Sequence, residues 1–256
     1  MSDKVPLSVV VITKNEEKNI QDCLGSVAWA DEIIVVDDYS SDRTVELVRK
    51  FTDKIFQRKM DIEGVHRNWA YQQAGTKWVL SLDADERVTP ELAAEIKDVL
   101  AKGTDCNGFT IARRNYIGSY WVKYGGWYPS PQLKLFRKDK FRYEEVEVHP
   151  RAFMEDPCGH LKNDIMHYSY RDFEDFRKKQ NNQIEREATK WVKANRKVGF
   201  FHAYWRAIDR FFRSYIGKQG FKDGSVGFRV AIFAARYQIM SFAKYLELKN
   251  KPLASK

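Results

Sequence analysis

Trp78-Val79-Leu80-Ser81-Leu82-Asp83-Ala84-Asp85 is a short apolar run that ends in two carboxylates two residues apart. The run reads as a buried strand. Side chains alternate along a strand, so Asp83 and Asp85 are expected to point the same way. Carboxylates held that close repel unless something positive sits between them. A hard divalent ion such as Mg²⁺ or Mn²⁺ meets that need and often brings substrate phosphates with it. Asp is also common in turns after strands, so the triplet is weighed with the rest of the chain.

Upstream, Leu7-Ser8-Val9-Val10-Val11-Ile12 and Glu32-Ile33-Ile34-Val35-Val36 read as further buried strands, and Lys54-Ile55-Phe56 as a short one. Helical patterns separate them over residues 20–29, 43–51 and 65–75. Another follows Thr89-Pro90 over residues 91–100, with Pro in its first turn. Nearly all-apolar strands alternating with helices predict an α/β fold with a mostly parallel sheet covered on both faces. After Gly103 the pattern changes. Residues 108–114 and 132–137 read as strands, with Tyr116, Tyr120, Trp121, Tyr124, Trp127 and Tyr128 crowded between them. From Arg171 onward the reading is helical, with one break over residues 217–227. The expected organisation is a domain over 1–170, in halves of about 1–100 and 101–170, followed by a helical module over 171–256.

At 256 residues, 43% hydrophobic and 31% charged, the chain suits a soluble globular protein with a sizeable core. Cys23, Cys106 and Cys158 form neither a zinc pattern nor a disulfide framework, which points to a reducing cytoplasm. No apolar leader opens the sequence, and no stretch is long enough to span a bilayer. The net charge of +9 is uneven. Residues 1–170 carry 24 Lys/Arg and 27 Asp/Glu, whereas residues 171–256 carry 20 and 8. A basic module of net +12 suits an anionic lipid surface or nucleic acid. No nucleic-acid-binding motif accompanies the charge.

Ligands of open α/β sheets bind beyond the carboxyl ends of the strands. Here those ends read Thr13-Lys14-Asn15-Glu16, Asp37-Asp38 and Asp83-Ala84-Asp85. Carboxylates there suit ribose hydroxyls and base N–H groups, with a metal taking phosphates. Asp42 and Thr89 read as helix caps. Neither a G-x-G-x-x-G nor a Walker loop is present, so no dinucleotide or P-loop site is indicated.

Residues 7–17, 34–44, 66–70 (His-Arg-Asn-Trp-Ala) and 80–86 (Leu-Ser-Leu-Asp-Ala-Asp-Glu), in that order and spacing, resemble family 2 glycosyltransferases with a GT-A fold, a Rossmann-like mixed sheet with helices on both faces. The resemblance implies an inverting enzyme that uses a nucleotide-diphosphate sugar, most often a UDP-sugar, and Mg²⁺ or Mn²⁺. It places Thr13, Asn15 and Glu16 in the nucleoside pocket, Asp38 at the base and Arg67 near the nucleotide. Asp83 would lie by the ribose or metal, and Asp85 would be the principal metal ligand. Residues 132–137, 146–150, 165–168 and 220–227 are similar to the lipopolysaccharide-core β-1,4-glucosyltransferase-like subgroup. That implies glucose as the sugar and a lipid-linked saccharide, such as lipopolysaccharide inner core, as the acceptor.

An inverting transfer needs a general base for the acceptor hydroxyl. Glu145, Glu147 and His149 are the candidates, with Glu147 preferred. Many relatives read Val-His-Glu where this chain reads Val148-His149-Pro150, so the glutamate that some place after the His is absent. His167 is a candidate further metal ligand or diphosphate contact; a lone His is more often structural. The aromatic segment 116–128 suits stacking on acceptor sugars or, equally, a core.

In the C-terminal module, Arg229, Arg236, Lys244 and Glu247 fall on one narrow stripe of a helix over 226–248, and the rest of that helix is largely apolar. Phe200-Phe201, Tyr204-Trp205 and Phe211-Phe212 interleave with Arg206, Arg210 and Arg213. This suits a helix lying in an anionic lipid interface, which would hold the protein peripherally on the inner face of the cytoplasmic membrane. The bland reading is packing on the catalytic domain or in a homo-oligomer. Two other readings compete with a transferase. A nucleotidyltransferase making the nucleotide sugar would want a Gly-rich phosphate loop after the first strand. A catalytically silent domain that binds membrane or a partner would not need two intact aspartates.

Overall fold

The computed structural model describes residues 5–146, 151–197 and 199–250. The chain divides into two compact units, residues 1–113 with 130–167, and residues 114–129 with 168–256.

The first unit runs β1 (Val5–Thr13), α1 (Ile20–Gly25), β2 (Ala30–Asp37), α2 (Thr44–Val48), β3 (Ile55–Gln57), α3 (Glu63–Gln72), β4 (Trp78–Asp83), β5 (Glu86–Val88), α4 (Pro90–Lys102) and β6 (Gly108–Ile111). After β7 (Arg113–Ile117) and β8 (Tyr120–Trp121) of the second unit, it resumes with β9 (Gln132–Arg137), β10 (Phe141–Tyr143), β11 (Ala152–Met154), β12 (Cys158–His160) and the start of β13 (Ile165–Tyr170). Seven strands form one sheet in the order β12-β6-β9-β4-β1-β2-β3. β1 is parallel to β2 and β4, and β2 to β3, whereas β9 runs antiparallel between β4 and β6. The architecture is a mixed, mostly parallel sheet with helices on both faces, as expected.

Alternation along the strands builds both cores. Leu7, Val9, Val11, Leu80 and Leu82 face one way, onto Ile20 and Leu24 of α1 and Leu92 and Ile96 of α4. Val10, Ile34, Val36 and Val79 face the other, onto Ala70 and Tyr71 of α3. Each fully buried Val, Leu or Ile side chain among them contributes about 1.5–3 kcal/mol. α4 starts as its sequence dictates, with the Thr89 hydroxyl accepting from Leu92 N at 3.2 Å and Pro90 at the first position.

Two expectations change here. Residues 108–114 are not one strand. They break at Ala112, whose carbonyl accepts from Ile165 N at 2.9 Å, and β7 leaves the large sheet. The first helix also ends at Gly25 rather than near Trp29.

The second unit is built on α5 (Phe173–Lys193), α6 (Phe200–Phe212) and α7 (Gly224–Asn250), with a π turn Arg213–Gly217 and a 3-10 turn Gly220–Asp223 before α7. Asp172 caps α5 by accepting from Asp175 N at 2.7 Å. The helices meet at Ala188, Trp191, Ala203, Phe242 and Tyr245. A second break, beyond the expected one, separates α5 from α6; Asn195 there takes a left-handed φ of 46°. The aromatic segment belongs with these helices: Ile117, Val122, Phe176 and Val230 share a cluster with Trp127, Tyr170 and Phe233. Among the described residues, no helix is long and apolar enough to cross a membrane.

The polar stripe of α7 makes its contacts with α5 inside this unit, with Arg229 and Glu247 still exposed. Arg236 donates to Gln180 at 2.6 Å and to Asn181 at 2.7 Å, Arg229 lies 5.0 Å over the Phe173 ring, and Lys244 sits 3.7 Å from Glu185. The stripe meets α5, where the sequence reading had turned it toward lipid.

Candidate active site

Register brings the three acidic strand ends together. Thr13 pairs with Asp37, and Ile12 pairs with Asp83, so β1, β2 and β4 end side by side at the carboxyl edge of the sheet. Thr13 is buried at that edge, and its carbonyl accepts from Asp38 N at 2.9 Å. Asn15 adopts φ 53°, a left-handed conformation that Asn tolerates. Its N–H donates to Ser40 Oγ and its Oδ1 accepts from Ser41 N, both at 2.8 Å, which ties the first loop to the second. Glu16 accepts from Asn19 at 2.7 Å through its carboxylate, and its N–H donates to Thr44 Oγ1 at 2.8 Å. Asp42 accepts from Thr44 N at 3.0 Å, but the N-cap of α2 is Arg43, so Asp42 stands one residue outside the cap position expected of it.

Asp38 is buried against the same edge. Its Oδ2 accepts from Lys14 Nζ at 2.8 Å and its Oδ1 from Met60 N at 3.2 Å. Burial opposes its ionisation, but the Lys14 and Met60 hydrogen bonds and the Lys14 charge outweigh that and hold the carboxyl below its ordinary range. Behind it, Arg58 Nη1 stands 3.1 Å from Nδ1 of His66. His66 is fully buried, and burial with the Arg58 charge lowers its pKa, so the imidazole is neutral near pH 7.

Asp83 lies in a chain of alternating charges. Glu63 accepts from Arg67 Nε at 3.1 Å, one helical turn along α3, and Arg67 Nη2 reaches Asp83 Oδ1 at 3.2 Å. Lys134 Nζ lies 3.2 Å from Asp83 Oδ2 and 2.7 Å from Glu86 Oε2, and Arg113 stands 3.6 Å from the other Glu86 oxygen. Three carboxylates thus alternate with three cations. Enclosure would raise the pKa of Asp83, but Lys134 and Arg67 hold it far below the carboxylate range. The same two carboxylates, Asp83 and Glu86, push Lys134 up although burial alone would lower it.

Asp85 departs from the expected geometry. β4 ends at Asp83 and Asp85 occupies the turn before β5, so strand alternation does not relate the two carboxylates. Cations already meet both oxygens of Asp83, whereas Asp85 Oδ2 faces His167 Nε2 at 3.5 Å. β13 pairs antiparallel with β5 and sets His167 opposite Glu86. One carboxylate and one imidazole fit a hard divalent ion that takes its remaining ligands from a diphosphate and water. Among the described residues, no group of three or more His, Cys, Asp or Glu side chains is placed to hold a metal ion.

Of the base candidates, Glu145 is exposed and follows β10. A Cβ on Gly64 would lie 1.8 Å from Glu144 O and 3.1 Å from Glu145 Cα, so glycine lets this segment cross the first turn of α3, beside Glu63 and Arg67. Glu147 and His149 lie outside the described residues.

Sequence reading assigned no role to Lys134, Glu86, Glu63 or Arg113. The signal for Lys134 was present: a lysine inside the apolar run Gln132-Leu133-Lys134-Leu135-Phe136. β6 pairs Phe109 with Leu135 and then Thr110 with Leu133. Lys134 is therefore the extra residue of a β-bulge, a device that re-aims a side chain.

The model of the family described as glycosyl transferase family 2 matches residues 8–217. The chain belongs to this family. Over 98% of its length it is 26% identical to the lipopolysaccharide core biosynthesis glycosyltransferase LpsC of Rhizobium meliloti, covering 97% of that protein. Over 37% of its length it is 36% identical to the poly(ribitol-phosphate) beta-N-acetylglucosaminyltransferase TarS of Staphylococcus aureus, covering 18% of that protein. Among solved structures, residues 1–349 of TarS in complex with UDP-GlcNAc align at a TM-score of 0.48 and 18% identity, covering 95% of this chain and 89% of that one. As a family 2 member, the chain is a glycosyltransferase.

Proposed function

We propose that this glycosyltransferase moves glucose from a UDP-sugar to a hydroxyl of a lipid-linked saccharide, such as lipopolysaccharide inner core, with inversion at the anomeric carbon. The observation that carries the reading is the Asp85–His167 pair at 3.5 Å, set at the carboxyl edge of the sheet beside the Arg67–Asp83–Lys134 chain. The acceptor class is supported by near full-length similarity to LpsC, which is named for lipopolysaccharide core biosynthesis.

In this reading Thr13, Asn15 and Glu16 line the nucleoside pocket. Asp38 accepts from the base, held in place by Lys14 and Met60 N. Asp83 sits by the ribose with Arg67 beside it. Asp85 and His167 would hold Mg²⁺ or Mn²⁺, which supplies positive charge for the leaving diphosphate. Lys134 is buried and acts through Asp83 and Glu86, holding both carboxylates in place. A base drawn from Glu145, Glu147 or His149, with Glu147 preferred, takes the acceptor proton. The acceptor oxygen then attacks C1 as the C1–O bond to the nucleoside diphosphate breaks.

The test is a panel of UDP- and other nucleotide-sugars incubated with Mn²⁺ or Mg²⁺, with Asp85→Ala alongside. Metal-dependent sugar release by the wild type, lost in the variant, is expected. Equal, metal-independent release by both would sink the reading.

A further inference from the structure

α6 has an apolar outer face. Phe201, Tyr204, Trp205, Ile208 and Phe212 are 87, 41, 70, 51 and 56% exposed. Their spacing of three, one, three and four residues places them on one side of the helix. The opposite side carries Ala203 and Ala207, both buried, with Ala203 packed near Phe242 and Tyr245 of α7. The helix therefore turns its small residues inward and its large aromatics outward, the reverse of an ordinary surface helix. Ile216, Phe221 and Phe228 extend the list of exposed apolar side chains in this unit. Soluble monomers rarely leave such a surface without a partner.

Charge selects the partner. Between Phe200 and Lys222, Arg206, Arg210, Arg213, Lys218 and Lys222 face a single acidic residue, Asp209. Asp209 is already paired with Arg213 at 2.9 Å. A second copy of the chain would add further cations over this stretch and no carboxylates beyond Asp209 to pair them, with Arg206 and Arg210 about 140° and about 180° round the helix from Phe201. An anionic lipid surface would instead pair with them while its acyl boundary takes Phe201, Trp205 and Ile208. No described helix can span a bilayer, so the contact is one of lying on the surface.

We propose that the outer face of α6 docks the protein on anionic lipid, while the polar stripe of α7 stays against α5. The inference does not depend on the identity of donor or acceptor. The full chain would be co-sedimented with vesicles of phosphatidylcholine alone and of phosphatidylcholine mixed with phosphatidylglycerol, with no substrate present. Wild type should partition onto the anionic vesicles at least about tenfold better. Phe201→Ser/Trp205→Ser/Ile208→Ser should lose that binding by at least about tenfold, and Arg206→Gln/Arg210→Gln should lose the anionic preference. Phe153→Ser, which removes an exposed aromatic from the first unit, should bind as wild type does. All variants should unfold at the wild-type midpoint and keep metal-dependent donor hydrolysis. Equal binding by wild type and the triple variant overturns the proposal. So does a wild type that ignores vesicles but forms dimers that the triple variant abolishes.

Discussion

The ammonium of Lys134 lies 3.2 Å from Oδ2 of Asp83, reaching it from a bulge in an antiparallel strand. The contact matters because the same ammonium also holds Glu86, which is fully buried. Removing one member of a buried ionic set strands the others. Lys134→Met should therefore cost about 3–5 kcal/mol in urea unfolding. Lys134→Met/Glu86→Gln should recover part of that loss. A single substitution as stable as wild type would mean that Arg113, not Lys134, stabilises Glu86.

The network also predicts a dependence on pH. Asp83 is held below the usual carboxylate range. Its contribution is present above the unfolded carboxylate pKa of about 3.9 and is lost as pH falls below that. Lys134 is shifted the other way. Its contribution is present below the unfolded value of about 10.4 and is lost as pH rises beyond it. In urea titrations at about pH 7 and about pH 3, Asp83→Asn should be destabilised at neutral pH and lose less than wild type on acidification. Parallel acid limbs for the two proteins would exclude Asp83 as the titrating group.

How much of this was visible in the sequence follows from the range of each interaction. The apolar strands and their alternation with helices are local, and Val9, Val10 and Val11 spell out a strand buried on both faces. The strand ends were legible for the same reason. Pairings across long separations were not. Lys134 meets Asp83 across 51 residues because of a bulge, and His167 reaches Asp85 because β13 pairs with β5. The α7 stripe misled because amphipathicity shows that a helix has two faces without showing which neighbour each face meets. In the structure, residues of α5 take the charged face.

Asp85 and His167 should separate from Asp83 in metal titrations. Asp85→Asn should lower metal-stimulated donor turnover by about 10²-fold or more. His167→Ala should raise the Mn²⁺ concentration for half-maximal activity by about tenfold or more. Asp83→Asn should leave that concentration nearly unchanged and show its effect in stability and nucleotide affinity. An unchanged Mn²⁺ requirement in both Asp85→Asn and His167→Ala would place the ion elsewhere.

Gly64 supplies a steric test. An added Cβ would lie 1.8 Å from the carbonyl oxygen of Glu144, and backbone yields poorly. Gly64→Ala should push residues 144–146 off α3, at a cost of about 1–3 kcal/mol in thermal unfolding. It should also depress transfer to the acceptor more than hydrolysis of the donor, because that segment leads to the base candidates. Gly25→Ala is the control, since nothing lies within 4 Å of its added Cβ.

Arg236 separates the roles of the two C-terminal helices. It donates to Gln180 and Asn181, and Gln180 in turn donates to the Phe233 carbonyl at 2.8 Å. Arg236→Met keeps an unbranched apolar stem but leaves Gln180 Oε1 without that donor in a half-enclosed seam. Hydrogen bonds to charged groups contribute about 1.5–3 kcal/mol each, so unfolding of the second unit should shift to lower urea by an amount in that range. Binding to anionic vesicles should stay at the wild-type level, because the lost charge points at α5 and not outward. A variant of wild-type stability that binds vesicles poorly would reverse the assignment and put the α7 stripe against lipid.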